Sequence, residues 1–243
     1  MGRTYSLGSK LADDIFKDDL PAHQVAVSSF RIGMTLVTVG MWREYLRANQ
    51  SAKMPKIPEW GSWTDDHPMI NVTWIDIMGS DEVSGYCGWA SKVMGMNLSL
   101  PTEAQWEHAA KAGQNYRYPW GNGFERNKIW CSTVNEGDAR KTAPVLRQNR
   151  MHLNPFGVTD MVGNVHQWCF DAYEPYVRDQ QDRMGYTLVP TNPKVLGSVD
   201  VPPRVVRGSA WYDNGEINHR TTHRVGLAPD YPINVGFRLV ASA

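Results

Sequence analysis

The sequence has no excess of charge of either sign and no long apolar run. Lys and Arg together number 25, and Asp and Glu also number 25, so the formal net charge is zero. Nucleic acids and anionic membrane surfaces are bound by basic faces, and this balance therefore argues against both partners. A membrane-spanning helix needs roughly 18 or more consecutive apolar residues, and the lack of such a run predicts that the chain does not insert into a membrane.

Cysteine is scarce, and no C-x-x-C pair is present. Cys87, Cys131 and Cys169 are widely spaced, which favours three buried thiols, or at most one disulfide, over a disulfide framework or a structural zinc site. The first ten residues, MGRTYSLGSK, lack the apolar stretch of a signal peptide. We leave the compartment open between the cytoplasm and export after processing.

Tryptophan, glycine and proline are abundant. The chain has 10 Trp, 21 Gly and 15 Pro, a composition typical of proteins in which turns are frequent and indole rings fix long loops to a modest core. We see no internal repeat, low-complexity tract or interdomain linker. Residues 1–243 are therefore predicted to form one domain.

Hydrophobic periodicity predicts few regular elements. Apolar residues recur at helical spacing in three segments, at 37–49, 76–94 and 102–112. Thr38 is a candidate N-cap of the first segment, and Thr102 and Gln105 have the spacing of a capping box at the start of the third. Strand-like patterns occur at 22–32, 204–207 and 235–240. Together they predict an α+β domain with two or three helices, short antiparallel strands and long loops.

Several sequence blocks, in a fixed order, resemble the formylglycine-generating enzyme (sulfatase-modifying factor) family. They are YSLGS (5–9), LPAHQVAVSSFRIG (20–33), LVTVGMW (36–42), HPMINVTW (67–74), SLPTEAQWEHAA (99–110), YPWGN (118–122), NPFGVTDMVGNVHQW (154–168), RVVRGSAW (204–211) and NVGFRLV (234–240). The resemblance covers nearly the whole chain and implies a single irregular domain with a C-type-lectin-like fold. Because the chain begins almost at the first block, we expect the domain to come from a longer protein.

The resemblance does not extend to the copper site of the family. The family's oxidase binds copper(I) through two cysteines in the loop before the final G-F-R, and soft thiolates are the ligands that this metal requires. The corresponding loop here, residues 212–233, contains no cysteine, and Glu216 and Thr221 stand near those positions. Copper binding and formylglycine generation are therefore not expected, and no catalytic residue is assigned.

A related branch of the family, the sulfoxide synthases, uses three histidines on iron and carries an H-x-x-x-H-x-E run. His219 and His223 have the spacing of its first two ligands, but Val225 stands where the Glu belongs. The glycines and proline around these histidines favour a loop, in which a spacing of four does not bring two ligands to one face. Iron is not expected. The alternative hypothesis remains a metal-dependent (iron or copper) oxidase or sulfoxide-synthase-like enzyme that uses His219 and His223.

The resemblance implies a calcium site in the block DMVGNVHQW. The family often binds calcium there, and the matching positions are Asp160, Gly163, Val165 and Gln167, side chains and carbonyls that offer hard oxygen ligands. Gln stands where the family has Glu, so a charge is lost, and a hydrogen-bonded turn without an ion is the alternative. A second, weaker calcium match involves Asn127 and Asp138.

The C-terminal loop mixes aromatic, amide, hydroxyl and charged residues with glycine and proline, which suits a binding surface. We predict that it binds a protein or small-molecule ligand, through Trp211, Tyr212, Asp213, Asn214, Asn218, His219, Thr221, His223, Val225, Leu227, Tyr231 and Ile233. The chain also resembles the variable proteins of bacterial diversity-generating retroelements, which have this fold and randomise Asn codons in the same region. The leading hypothesis is therefore a catalytically degenerate family member that binds a ligand through residues 211–233.

Three arginines match family arginines near the centre of the fold. Arg207, Arg224 and Arg238 are expected to form buried bidentate pairs with Asp or Glu, with Asp171 as one candidate, or alternatively to bind a carboxylate ligand through their planar forks.

Overall fold

Short helices and strands joined by long loops make up the part of the chain that the computed structural model describes, which is residues 3–9, 17–80, 84–132, 141–146, 153–176, 180–181, 187–188, 190–196 and 201–242. The helices of these residues are α1 (Val39–Ala48), α2 (Trp74–Met78), α3 (Tyr86–Met94) and α4 (Glu103–Ala110). The strands are β1 (Arg3–Leu7), β2 (His23–Val27), β3 (Phe30–Ile32), β4 (Leu98–Ser99), β5 (His166–Ala172), β6 (Gln180–Gln181), β7 (Thr187–Leu188), β8 (Arg204–Arg207), β9 (Arg224–Leu227), β10 (Val235–Gly236) and β11 (Val240–Ser242). The predicted α+β class is confirmed.

The strands of the described residues form one four-stranded sheet and three smaller sheets. In the sheet β10-β5-β8-β9, β10 runs parallel to β5 and the other neighbours are antiparallel. The smaller sheets, β3-β11-β4, β1-β2 and β6-β7, are antiparallel throughout. The prediction of one strand over 235–240 is wrong, because β10 and β11 belong to different sheets.

Two of the predicted helices begin where their capping residues indicate. At the start of α1, the Met41 amide donates to Thr38 Oγ1 at 3.2 Å. At the start of α4, Thr102 and Gln105 form the expected capping box, each accepting a hydrogen bond from the other's amide, at 3.2 and 2.9 Å. Thr102 and Gln105 satisfy amides that the helix itself leaves without partners.

The prediction of a single helix over 76–94 is wrong, because this segment contains α2 and α3 as separate helices. Helix α2 starts earlier than predicted, behind a capping box of Thr73 and Asp76. It ends at Gly79, whose φ of +90° lies in the left-handed region that favours glycine. Gly85 then approaches so closely that a Cβ added there would lie 2.4 Å from the Gly79 nitrogen. Gly79 and Gly85 are therefore in close contact between the end of α2 and the start of α3.

Aromatic rings form the centre of the core. Trp42 stacks on Tyr86 with ring centroids 5.3 Å apart, and both rings meet Phe237 edge-on. Trp106, a residue of α4, belongs to a second buried cluster. The three cysteines are buried and free, which confirms the thiols predicted from their spacing. Among the described residues, no helix has the length and apolar character needed to cross a bilayer.

Candidate functional site: the C-terminal loop

The C-terminal loop, residues 211–233, follows β8, includes the edge strand β9 of the four-stranded sheet, and ends just before β10. Three of its large side chains are exposed, Tyr212 at 43%, Tyr231 at 39% and Ile233 at 51% of their surface. Burial raises the pKa of the Tyr212 hydroxyl, and the nearby Asp213 and Tyr231 raise it further. We call the three exposed side chains Tyr212, Tyr231 and Ile233 the aromatic face.

Tyr212 stands on a base of packed rings. Trp211 is buried and meets Tyr212 and Trp60 edge-on, with ring centroids 4.9 and 5.3 Å apart. The His166 ring lies 5.9 Å from that of Tyr212. These contacts restrain the ring of Tyr212 while leaving much of it in contact with solvent.

Asp213 fixes the backbone at the start of the loop. Its carboxylate accepts a hydrogen bond from the Ala210 amide at 2.8 Å and lies 3.0 Å from His166 Nε2. Burial opposes the charged form, but the hydrogen bond and charge of His166 outweigh it and lower the pKa of Asp213. The Asp213 carbonyl oxygen also accepts from Ser132 Oγ at 2.8 Å. Asp213 is therefore ionised at neutral pH and serves as an anchor.

The two histidines lie inside the protein. His219, which ends a 3-10 turn over Glu216–His219, is fully buried, with Nδ1 2.7 Å from Ser209 Oγ and its ring stacked on Phe124. His223 is also buried, and burial lowers the pKa of each histidine to about 4. Both imidazoles are therefore neutral at pH 7. The sequence indicated an irregular loop here, whereas the structure forms a turn and then β9.

The other predicted loop residues divide between the surface and the interior. Asn214 is exposed, and Asn218, Val225 and Leu227 are half-buried. Thr221 is buried, with its amide donating to the Arg117 carbonyl oxygen at 2.8 Å. The buried side chains Trp211, His219, Thr221 and His223 do not reach the surface in this fold, and we place them outside the aromatic face. Their part in ligand binding stays a prediction.

Arg207 holds the inner side of the loop by its main chain. Its guanidinium is fully buried and donates to the carbonyl oxygens of Thr222 at 2.6 Å, His223 at 2.9 Å and Thr221 at 3.0 Å. The same guanidinium pairs with the Glu107 carboxylate on α4. Since three successive carbonyls are bound by one cation, the backbone path over 221–223 is set from inside.

Arg224 forms the bidentate pair that the sequence predicts. Its Nε and one terminal nitrogen lie 2.8 and 2.9 Å from the two Glu103 carboxylate oxygens. Asp171, the suggested partner, instead accepts from the backbone amides of Glu103 and Val195. The prediction of a bidentate pair is confirmed for Arg224, whereas Arg207 meets the Glu107 carboxylate through one terminal nitrogen and its Nε lies 3.7 Å from Glu103. The prediction is wrong for Arg238, whose side chain binds an amide and backbone carbonyls rather than a carboxylate.

The side chain of Gln167, predicted as a calcium ligand, is already fully engaged. Its Oε1 accepts from Trp106 Nε1 at 3.0 Å and from Arg238 Nε at 2.7 Å. Its Nε2 donates to the Asp160 carbonyl oxygen at 2.7 Å. The Arg238 guanidinium and the Trp106 indole N–H therefore already bind the side-chain oxygen that Gln167 would offer to calcium.

Two further predicted calcium ligands, Gly163 and Asp160, also accept hydrogen bonds within the protein. The Gly163 carbonyl oxygen accepts from the Val165 amide at 2.9 Å, and the Asp160 carboxylate accepts from Asn164 Nδ2 at 3.0 Å. Calcium takes roughly six to eight oxygens directed at one point. The hydrogen bonds of Gln167, Gly163 and Asp160 agree with the turn without an ion that is the alternative, and calcium binding here stays a prediction.

The second calcium match is not assembled among the described residues. Asn127 is exposed in a 3-10 turn over Arg126–Lys128, and Asp138 lies outside the residues that the structure describes. Across the described part of the chain, no group of three or more His, Cys, Asp or Glu side chains is placed to hold a metal ion.

A cavity beside the loop was missed by the sequence reasoning. It has a volume of about 560 Å³ and is lined by Trp42, Tyr45, Lys53, Lys56 and Pro232, among other residues. The cavity joins α1, the segment after it and the end of the C-terminal loop. Its residues are far apart in sequence, and the only sequence signal was the pair of lysines in the proline-rich segment that follows α1.

The fold and the loop together define a class of protein, an irregular α+β domain that holds a long C-terminal loop on a buried frame of charged residues. The family of sulfatase-modifying factor enzyme 1-like domains matches residues 2–243, and the chain belongs to this family. The resemblance drawn from the sequence blocks is confirmed.

The chain is similar to an inactive enzyme of this family and to two proteins of known structure. The inactive C-alpha-formylglycine-generating enzyme 2 of Mus musculus is 31% identical over 189 residues, which is 72% of this chain and 49% of that protein. The chain spans about half the length of the first curated relatives it matches, 49% and 51%. PvdO from Pseudomonas aeruginosa and Treponema denticola variable protein 1 share the fold, with TM-scores of 0.78 and 0.73. Each is 22% identical and matches 100% of this chain, covering 92% of PvdO and 93% of the variable protein.

Proposed function

We propose that this domain is a non-catalytic member of its family that binds a protein or small-molecule ligand through the aromatic face. The observation that carries the proposal is the contrast within one loop. Tyr212, Tyr231 and Ile233 are exposed, while Asp213 holds the Ala210 amide at the start of the loop and Arg207 holds the carbonyls of 221–223 in its middle. A rigid loop that displays large side chains loses little conformational entropy when a partner binds.

The chemistry of the aromatic face suits recognition. Tyrosine supplies a large contact area with few rotatable bonds and a hydroxyl for hydrogen bonding, and it is enriched where binding energy is concentrated. Exposed apolar side chains grouped on one surface are typical of interaction sites. The lack of cysteine in residues 212–233 removes the thiolates that copper chemistry requires.

A finer version of the proposal is that the loop is diversified between relatives, as in variable proteins of diversity-generating retroelements. The fold shared with Treponema denticola variable protein 1 supports it. Nucleotide sequences of close relatives test it, because substitutions should concentrate at adenines of Asn codons at the exposed positions of the loop. Substitutions spread evenly over the gene would count against diversification.

The alternative function is a metal-dependent oxidase that uses His219 and His223. One observation favours it, since Nε2 of the buried His219 has no hydrogen-bond partner among the described residues. Metal analysis of the purified protein and of His219→Ala decides between the two. Stoichiometric iron or copper, lost in the variant, together with oxygen consumption on a thiol substrate, would overturn the binding proposal.

Phage display of random peptides on the purified protein tests the aromatic face directly. We expect selected peptides to lose at least about tenfold in affinity on a variant with Tyr212→Ser, Tyr231→Ser and Ile233→Ser. The matched control carries Met41→Ser, Val93→Ser and Met94→Ser, which removes comparably exposed apolar side chains from α1 and α3. Peptides that bind the loop variant and the wild type equally would contradict the proposal.

A further inference from the structure

The cavity of about 560 Å³ adjoins the aromatic face. Trp42 and Tyr45 of α1 line it, as does Pro232, which stands in the chain between Tyr231 and Ile233. Its volume lies in the range of small-molecule sites in proteins. A ligand on the aromatic face could therefore extend into the cavity past Pro232.

Hydrogen bonds join the cavity wall to the C-terminal loop. Asn71, at a left-handed φ of +61°, donates through Nδ2 to the Lys56 carbonyl oxygen at 2.8 Å and accepts from the Asn234 amide at 2.9 Å. The Trp74 amide donates to the Pro229 carbonyl oxygen at 2.9 Å. Because these bonds cross between the two segments, the wall and the loop form one structural unit.

Trp42 brings an indole N–H without an acceptor to this region. The side chain is 2% exposed, and Nε1 has no hydrogen-bond partner among the described residues. Other tryptophans of the chain donate their indole N–H to a protein oxygen, namely Trp74, Trp106, Trp120, Trp130 and Trp168. A buried donor without an acceptor is unfavourable, and a ligand oxygen that reached Nε1 would satisfy it.

Among the described residues that line the cavity, positively charged side chains outnumber negatively charged ones. Lys53 and Lys56 are exposed at the cavity, and Asp76 is the carboxylate among the described lining residues. Asp76 already accepts hydrogen bonds from Thr73, at 2.9 Å from the amide and 2.6 Å from the hydroxyl. Two lysines therefore line the cavity together with one carboxylate, and that carboxylate is engaged in capping α2.

We propose that the cavity binds an organic carboxylate with a flat apolar body. The ring would pack against Trp42, Tyr45 and Pro232, and the carboxylate oxygens would accept from the indole N–H and the ammonium groups of Lys53 and Lys56. The inference rests on the proposed function, because it names the chemistry of a ligand, or of a ligand segment, that enters beside the aromatic face. Charge-assisted hydrogen bonds to carboxylates are stronger than neutral ones.

Isothermal titration calorimetry with three probes of similar shape tests the proposal. The probes are 1-naphthylacetate, its neutral amide 1-naphthylacetamide, and the cation 2-(1-naphthyl)ethylamine. We expect the carboxylate to bind about fivefold more tightly than the amide, as two partly exposed ion pairs would provide, and the amine to bind most weakly. The double variant Lys53→Gln and Lys56→Gln should bind acid and amide alike. Lys92→Gln, an exposed lysine on α3, is the matched control and should keep the preference.

Two results would overturn the proposal, namely no binding of the acid at millimolar concentration or an acid preference that survives the double lysine variant. The loop variant used for phage display separates this inference from the proposed function. If no peptide recognises the aromatic face but 1-naphthylacetate still binds, the function fails and the cavity site stands. If peptides bind the face and 1-naphthylacetate does not bind, the cavity inference alone fails.

Discussion

Replacing Glu107 with Gln tests whether the buried charged frame holds the C-terminal loop. Glu107 is fully buried, and its Oε1 accepts from Lys111 Nζ at 2.7 Å and from the Gly8 amide at 2.9 Å. Its Oε2 pairs with Arg207, which in turn binds the carbonyls of residues 221–223. Loss of the carboxylate therefore affects both the Gly8 amide, which follows β1, and the C-terminal loop.

The magnitude follows from what the substitution leaves behind. Gln keeps the shape of the side chain, but the two buried cations Lys111 and Arg207 lose the nearest negative charge. Removing one partner of a buried ion pair costs about 3–5 kcal/mol. The Glu103 carboxylate, 3.7 Å from Arg207 Nε, remains and places the expected loss at the lower end of that range. Glu44→Gln, which removes an exposed pair with Arg47, should cost less than about 1 kcal/mol and is the control.

The pH dependence gives a second check. Burial alone would raise the pKa of Glu107, but Lys111 and Arg207 outweigh it and lower that pKa below its ordinary value. A carboxyl group with a lowered folded pKa stabilises the protein above its unfolded pKa of about 4.3, and this stabilisation is lost as the pH falls through the folded pKa. The gap between wild type and Glu107→Gln should therefore be full at pH 7 and shrink in acid.

Urea unfolding followed by tryptophan fluorescence, at neutral and acidic pH, measures both effects. A loss at pH 7 no larger than that of Glu44→Gln would refute the reasoning, since it would show that the two buried cations do not depend on this carboxylate. Peptides selected on the wild type should also bind Glu107→Gln more weakly, although no residue of the aromatic face has changed.

Three further predictions concern the turns and the buried histidine. Burial lowers the pKa of His219 to about 4, whereas an unfolded imidazole titrates near 6.5, so the wild type should lose thermal stability as pH falls between these values. His219→Gln should flatten that slope, and an unchanged slope would exclude His219 as its cause. Gly163→Ala should lower the free energy of unfolding by about 2 kcal/mol more than Gly157→Ala. Both glycines have φ near +75°, but only at Gly163 would an added Cβ lie 2.5 Å from Ile129. Equal urea midpoints for the two variants would contradict this prediction. Millimolar calcium should leave the Tm within about 1 °C of its value in chelator, and a rise of several degrees would reveal an ion at the turn 160–167.

Helix starts could be predicted because their signals are local. Thr38, and Thr102 with Gln105, lie within one turn of the amides they satisfy. The break between α2 and α3 was not predictable in this way, because periodicity continues across it. It depends on the close approach of Gly79 and Gly85, which is a property of the folded chain.

The site was predicted to the level of a loop but not to the level of individual side chains. Irregular segments have no periodicity that separates inward from outward residues. The sequence therefore does not show that His219 is buried and Tyr212 is exposed. The partners that bury the polar groups are distant in the chain. Arg207 and Glu107, for example, are exactly one hundred positions apart. Short polar runs therefore locate a candidate surface without showing which side chains compose it.

The division of the loop into an inner and an outer side bears directly on how its surface could vary. Arg207 binds carbonyl oxygens over 221–223, so this restraint does not depend on the side chains at those positions. Tyr212, Tyr231 and Ile233 lie on the outer side, where substitutions usually change stability by no more than about 0.5 kcal/mol. Relatives can therefore differ on the aromatic face without losing the fold. Substitution of the inner frame would instead remove the anchor of the backbone over 221–223, which lies in the chain between Tyr212 and Tyr231.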